Sequence, residues 1–445
     1  MKVLFVSLGC DKNLVDTEMM LSMLEDSGHT FTDDADEAEA VIVNTCCFIG
    51  DAKEESINTL LEFAQSKNEG RLKALIACGC LAQRYRKEIR KEIPEVDALV
   101  GTNAIDEIVQ ALDEAGRGIG REHYRDLNLT PVCGKRQSIT TGGHYAYLKI
   151  AEGCDKHCTY CIIPKIRGKY RSIPMEILKN EAKELVQNGA KELILVAQET
   201  TLYGKDIYGK KMLPDLLKKL AEIPGIFWIR ILYCYPEEIT QELIDVIAAE
   251  PKICHYLDIP IQHAADSVLR RMGRNTDQVS LRHVIARLRE KIPDICLRTT
   301  LISGFPGETQ EDFEEQYNFA DEMEFDRLGV FAFSCEEGTA AAEMEDQVPD
   351  DVKEQRRDEL MELQQEIAFE KAKEMIGKRL MVIVEGKLTD EDTYVTRTYR
   401  DAPGVDGFLF LNTEATLVTG DLAEVIVTDA NEYDLIGEIY HDGDH

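Results

Sequence analysis

The sequence predicts a multidomain α/β protein. It has an N-terminal doubly wound parallel α/β domain, a central partial parallel barrel of six strand–helix units, and a small C-terminal all-β barrel. Three observations predict this. The chain has 445 residues, and roughly 150 residues per domain gives about three domains. Short apolar runs alternate with helical patterns through two successive tracts, as in βαβ units. Toward the C-terminus the pattern changes to short strands separated by Gly, Pro and Asp turns.

The first domain, 1–118, opens with the apolar strand VLFVSLG (3–9). NLVDTEMMLSMLEDSG (13–28) reads as a helix with Gly28 as its C-cap. AVIVNT (40–45), a helix at AKEESINTLLEFAQS (52–66), ALIACG (74–79), ALVGT (98–102) and a helix at AIDEIVQALDEAG (104–116) follow. Such alternation gives a parallel sheet covered on both faces. No Gly-x-Gly-x-x-Gly follows the first strand, so a dinucleotide site has no support. Residues 119–140 read as a polar, irregular linker.

The second domain, 141–372, carries the strand patterns YAYLKIA, ELILVAQE, FWIRILY, YLDIPIQ, CLRTTLIS and RLGVFAFS. Amphipathic stretches at 175–189 and 279–292 lie between them, and a long charged helix at 350–377 ends at Gly377. Six strand–helix units on one sheet suggest a full or partial parallel barrel. The third domain, 373–445, carries RLMVIVEG, TYVTRTYR, GFLFLN and LAEVIVTDA, which predict a small barrel.

Composition narrows the function. No apolar run approaches the roughly 18 to 20 residues of a membrane span. The N-terminal apolar run after Lys2 is shorter than the roughly 7–15 residues of a signal h-region. A cytoplasmic location is therefore expected, where thiols stay reduced. Thirteen cysteines in such a chain favour metal or redox chemistry over disulfides. A net charge of −32 makes free nucleic acid a poor default partner and a basic protein a better one.

Two cysteine sets carry the chemistry. AEGCDKHCTYC places Cys154, Cys158 and Cys161 directly after the strand YAYLKIA, where parallel barrels keep their active sites. Three thiolates can hold three irons of a cubane cluster and leave the fourth open to a small molecule. A zinc site with a distant fourth ligand, His157 or another residue, and a fortuitous cysteine cluster are the alternatives. In the first domain Cys10 ends the first strand, Cys46 the second, and Cys80 closely follows the third. Carboxyl ends of parallel strands form the binding crevice of an open sheet, so these three can converge. Buried structural thiols are the competing reading.

The Cys-x-x-x-Cys-x-x-Cys spacing after the first barrel strand resembles the radical S-adenosylmethionine (SAM) superfamily. The resemblance implies a [4Fe–4S] cluster on Cys154, Cys158 and Cys161. It implies an open iron chelated by the amino and carboxylate groups of SAM, and one-electron cleavage to a 5′-deoxyadenosyl radical. Tyr160 matches the family's aromatic before the last cysteine. Gln198-Glu199 lies where the family binds the SAM amino group, and TLISGFPGE (300–308), with Gly304, resembles the stretch that packs against adenine. SLGCDKNLVD, VNTCCFIGDAKEES and CGCLAQRY resemble the N-terminal domain of methylthiotransferases. That pattern selects Cys10, Cys46 and Cys80 for a second [4Fe–4S] cluster and leaves Cys47 and Cys78 as extras. The second cluster would carry a sulfur atom that SAM methylates. The radical would activate an inert carbon that receives the methylthio group.

The third domain resembles a TRAM module, which binds RNA in tRNA-modifying relatives. SLGCDKNLVDTE, YLDIPIQHAADSVLRRMGR and YRDAPGVDGFLFL resemble instead the ribosomal-protein branch of the methylthiotransferases, the RimO type. Its target is the β-carbon of an aspartate in small-subunit ribosomal protein S-twelve, with an electron donor such as flavodoxin or ferredoxin. Thr396 departs from the pattern, where Gly is expected before Arg397. From Gly377 to His445 five Lys and Arg stand against fifteen Asp and Glu, a net of −10. An RNA-binding barrel should present a basic face, whereas an acidic one suits a basic ribosomal protein. Asp390, Glu391, Asp392, Asp401 and Asp406 are expected at solvent-facing turns of this surface. A tRNA adenosine methylthiotransferase and a non-catalytic iron–sulfur electron carrier are the alternatives.

Overall fold

A computed structural model describes residues 1–137, 139–389 and 392–441. In the first domain the strands are β1 (Lys2–Ser7), β2 (Thr30–Phe31), β3 (Ala40–Thr45), β4 (Ala74–Cys78), β5 (Ala98–Val100) and β6 (Arg121–His123). They form one parallel sheet in the order β2-β1-β3-β4-β5-β6. Because successive side chains of a strand point to opposite faces, β3 feeds two cores. Ala40 and Ile42 meet Val15, Met19 and Met20 of the helix Asp11–Asp26. Val41 and Val43 meet Leu60 and Phe63 of the helix Gly50–Asn68. That double cover is the doubly wound arrangement.

Several boundaries differ from the expectation. β6 lies inside the expected linker, and two short helices, Gly79–Arg84 and Arg86–Glu92, follow β4 unannounced. The first helix begins at Asp11, directly after Cys10. It ends at Asp26 with Ser27 as its C-cap; Gly28 lies one residue further on, at φ +84°.

In the second domain β7 (Tyr145–Lys149) is followed by a short antiparallel pair, β8 (Ala151–Glu152) with β9 (Arg171–Ser172). Then come β10 (Glu192–Val196), β11 (Trp228–Ile231), β12 (Ile253–Asp258), β13 (Cys296–Ser303) and β14 (Arg327–Ala332). The six long strands are all parallel, in the order β14-β13-β12-β11-β10-β7. β7 and β14 stand at the two edges, so the barrel is partial. Leu193 and Leu195 of β10 face the helical layer, while Ile194 and Val196 face the inner, concave side. The long charged helix runs Asp350–Lys373 and stops short of Gly377, capped by Glu374.

The third domain is a closed barrel of β15 (Arg379–Lys387), β16 (Thr393–Arg397), β17 (Leu409–Asn412), β18 (Leu422–Ala430) and β19 (Leu435–Ile439), ordered β15-β16-β17-β19-β18. β19 was not expected from the sequence. Thr396 sits inside β16, fully buried, and its Oγ1 donates to the Leu409 carbonyl at 2.6 Å. A strand position asks for no glycine, which accounts for the departure.

This barrel packs on the concave side of the central sheet. Ile383 and Ala402 join Ile194, Val196, Trp228, Tyr256 and Cys296 in one apolar cluster. Around it lie buried and half-buried charges. Arg397 pairs with Glu192 at 2.8 Å, and Arg230 meets the same carboxylate at 2.7 Å. Asp401 pairs with Arg327 at 2.6 Å, and Asp406 accepts from the Tyr256 hydroxyl at 2.7 Å. The expectation that Asp401 and Asp406 face solvent is therefore corrected: both are consumed in docking. Asp392 is exposed and pairs with Lys387 at 3.1 Å. Asp390 and Glu391 lie outside the described residues. Among the described residues no helix is long and apolar enough to cross a membrane.

Candidate functional site

The loops that carry the first-domain cysteines approach closely because the backbone there tolerates no side chains between them. Gly9 stands at φ +90°, and a Cβ on it would lie 2.6 Å from Cys46 Cβ and 2.8 Å from Cys46 Sγ. Gly79, at φ +86°, lets Cys80 turn in beside Thr45, whose carbonyl a Cβ would approach at 2.7 Å. Asn13 ties the loops together by donating to the carbonyls of Leu8 at 3.0 Å and Thr45 at 3.1 Å. Ser56 brackets Cys46, accepting from its N–H and donating to its carbonyl, both at 2.9 Å. Cys10 is exposed, while Cys46 and Cys80 are buried with their thiols within electrostatic reach of one another.

Cys47 and Cys78 go elsewhere. Cys78 belongs to the core behind the sheet and donates to the Val43 carbonyl at 3.5 Å. Cys47 packs in the opposite core beside Leu60 and Phe63. Both are fully buried.

The second triad sits on the loop after β8. Gly153, at φ +79°, lies so close to the Lys169 carbonyl that no Cβ fits. The Cys154 N–H donates to the Gly168 carbonyl at 3.1 Å. Thr159 clamps the other end, its N–H on the Met272 carbonyl and its hydroxyl on the Arg271 carbonyl, each at 2.9 Å. A cleft lined by Asn128, Cys154, Asp155, His157 and Lys169 opens beside it. His157 is exposed. Among the described residues no three His, Cys, Asp or Glu side chains close around a single ion. Burial pushes Cys154 and Cys161 each up to about 12, with the charge of Cys158 adding to both. Cys80 is likewise pushed to about 12 by burial. Buried thiolates need a compensating cation, and three thiols spread around a shared space suit a multi-iron cluster.

Unpartnered buried atoms surround the second triad. Gln198 donates to Glu152 at 3.0 Å, but its Oε1 has no partner. Glu199 is fully buried, accepts from the Thr201 N–H at 2.9 Å, and keeps Oε2 free; burial pushes its carboxyl up to about 7. On the other side Arg274, 5% exposed, leaves Nε and Nη1 unpartnered over the Tyr235 ring. Tyr235 Oη lies 3.7 Å from Cys158 Sγ. An anionic and a cationic group, both desolvated and unsatisfied beside one cysteine loop, fit a zwitterionic ligand such as the amino-acid end of SAM.

Tyr160 packs edge-on against Phe305, which packs on Phe333. Gly304, at φ +69°, is pressed against Lys353 and admits no Cβ. Its N–H donates to Glu308 at 2.9 Å. Glu308 also takes Arg356 at 2.8 Å. The Gly304 amide is thus already engaged, and its contribution to a ligand is space. Sequence reasoning missed Arg274, although it ends the quoted stretch YLDIPIQHAADSVLRRMGR. It also missed Arg167, which no spacing rule singles out.

Comparison with known proteins gives three family matches: Uncharacterized protein family UPF0004 at residues 2–101, the Radical SAM superfamily at 148–320 and the TRAM domain at 376–439. A "Ribosomal protein uS12 methylthiotransferase RimO" from Lachnoclostridium phytofermentans is 59% identical over 437 residues, 98% of this chain and 99% of the relative. A relative of the same name from Thermoanaerobacter sp. is 47% identical, covering 97% of this chain and 98% of its own. Among solved structures, the radical SAM methyltransferase TsrM from Kitasatospora setae superposes with a TM-score of 0.53 over 74% of this chain and 72% of that one. At 14% identity that likeness concerns the fold alone.

Proposed function

Because the chain belongs to the RimO family of ribosomal protein uS12 methylthiotransferases, we propose that its two cysteine triads hold separate [4Fe–4S] clusters and that its target is the β-carbon of an aspartate in that ribosomal protein. The protein is a radical SAM methylthiotransferase acting on ribosomal protein uS12. One observation supports the assignment of the triads: each stands at the carboxyl end of a parallel sheet, and a buried charged network runs through Arg167 from Cys80 of one to Glu152, two residues ahead of Cys154 of the other.

When bound, the clusters and SAM supply one-electron cleavage of a sulfonium and a place for the sulfur to be transferred. The chain's residues hold and orient. Cys154, Cys158 and Cys161 would hold the cluster that cleaves SAM. Arg274 takes the SAM carboxylate; Glu199 and Gln198 take its amino group through the oxygens that lack partners. Tyr160 and Phe305 form an apolar wall that excludes water beside the cysteine loop. Cys10, Cys46 and Cys80 hold the second cluster, and Cys47 and Cys78 serve the cores. An electron donor of the flavodoxin or ferredoxin class supplies reducing equivalents, and the reaction takes place in the cytoplasm.

Anaerobic reconstitution tests this. The protein with Cys154→Ala, Cys158→Ala and Cys161→Ala should lose one cluster by iron and sulfide count and should not cleave SAM. The protein with Cys10→Ala, Cys46→Ala and Cys80→Ala should still release 5′-deoxyadenosine but transfer no methylthio group. Deoxyadenosine release by the first variant would overturn the assignment. Mass spectrometry of a deletion strain should find uS12 lighter by one methylthio group and tRNA unchanged; the reverse would favour the tRNA reading.

A further inference from the structure

Arg167 lies six residues after Cys161, at the end of the short helix Ile163–Arg167, and is 2% exposed. Its Nη1 reaches Asp16 of the first domain at 2.8 Å and Glu152, just ahead of the Cys154 loop, at 3.2 Å. Its Nη2 donates to Asn13 Oδ1, and to Cys80 Sγ at 3.4 Å. Lys149 pairs with the same two carboxylates, Asp16 and Glu152, and Gln198 holds the other oxygen of Glu152 at 3.0 Å. A single guanidinium thus touches a cysteine of one triad and, through Glu152, the Gln198 strand end beside the other. Two carboxylates already neutralise the Arg167 and Lys149 pair, so stability alone does not require a fork aimed at a thiol.

We propose that Arg167 is a positioning residue for the second cluster, donating a charged N–H to the Cys80 thiolate and holding that cluster at a higher reduction potential. The inference rests on the reading that Cys10, Cys46 and Cys80 hold a cluster. The physics is direct. A reduced cluster carries one more negative charge than an oxidised one, and hydrogen bonds to its sulfurs favour the reduced form. In a low-dielectric interior a fixed cation acts strongly. The fork matters as well as the charge, because only a planar guanidinium can serve Asp16, Glu152, Asn13 and Cys80 together.

The experiment uses the full chain with Cys154→Ala, Cys158→Ala and Cys161→Ala, so that only the second cluster is present. Iron and sulfide counts come first: absence of a cluster in this background defeats the cluster reading itself, not the role of Arg167. With the cluster present, Arg167→Gln should shift its midpoint potential downward in an electron-paramagnetic-resonance titration, and Arg167→Lys should shift it less. In the converse background, Cys10→Ala, Cys46→Ala and Cys80→Ala, the potential of the remaining cluster should move little. A fully assembled second cluster with unshifted potential in Arg167→Gln overturns the proposal. Should Arg167→Gln fail to assemble, pulsed resonance on the otherwise unmodified second cluster, with isotopically labelled arginine, decides. A coupling to guanidinium nitrogen supports the contact, and its absence overturns it.

Discussion

Gly9 shows how a site can depend on one missing atom. A left-handed residue with a side chain costs about 1–2 kcal/mol, and here the added Cβ would also press on Cys46 at 2.6 Å. Gly9→Ala should therefore destabilise by about 2 kcal/mol or more and lose the second cluster selectively, read as iron content with SAM cleavage retained. Cys47→Ala and Cys78→Ala should keep that iron; its loss in either would reassign a ligand. Glu199 offers a pH test. Its carboxyl is raised to about 7 by burial from an ordinary 4.5, so the native state binds more protons between those values and stability falls as pH rises through that window. The penalty is complete above pH 7 and amounts to roughly 3 kcal/mol at one pKa unit per 1.4 kcal/mol. In cluster-free protein Glu199→Gln should raise the melting temperature at pH 8 and give no gain at pH 5. An equal effect at both pH values would show that the carboxyl does not titrate there. The position of the cysteines at strand ends was legible in sequence because the strand pattern fixed where each strand ended; the choice of Cys46 and Cys80 over Cys47 and Cys78 came from the family resemblance. Arg167 and Arg274 were not, because their partners come from distant segments and a lone arginine in a basic stretch has no periodic signature.

Elements were legible where hydrophobic period and length agreed. Five of the six long strands of the central sheet fall inside the stretches read from sequence, since each is a largely apolar run; β12 (Ile253–Asp258) begins three residues ahead of the stretch YLDIPIQ read for it. The misses are short. β6 (Arg121–His123) is polar and survives only by pairing with β5, and β19 pairs with both β17 and β18 around a closed barrel. Tertiary pairing, not local propensity, makes such strands. The acidic turns of the third domain misled for a similar reason: charge is visible in a sequence, but its partner is not. This separates two substitutions of equal charge. Asp401→Lys breaks the buried pair with Arg327 and sets two cations together, which should cost on the order of 3–5 kcal/mol and appear as protease sensitivity at the domain junction. Asp392→Lys, on an exposed pair, should change melting by less than about 1 kcal/mol. Comparable losses from both would place Asp401 at the surface after all.

At the scale of the whole molecule, the net charge of −32 shapes encounter. A basic ribosomal protein approaching this chain is steered over a Debye length of about 8 Å at physiological ionic strength. Its association rate should fall as salt rises, with dissociation much less affected. Stopped-flow binding of uS12 across a salt series checks this; a salt-independent association rate would remove steering from the account. With Asp401 and Asp406 committed to docking, the steering field belongs to the chain as a whole, not to those turns of the third domain.

The buried joint between Glu192, Arg230 and Arg397 also has a temporal meaning. Glu192 begins the second long strand of the central sheet, yet one of its two guanidinium partners lies near the end of the chain. As the polypeptide leaves the ribosome, the first domain has all its strands in hand and can close early. The central sheet emerges with its concave side open, carrying Ile194, Trp228 and Tyr256 exposed until the last residues arrive. Such long-range closure is intrinsically slow. A chain that stalls or is truncated before Arg397 should expose that apolar face and need chaperone cover, while its first domain is already protected. Pulse proteolysis of arrested nascent chains would show the first domain resistant well before the second.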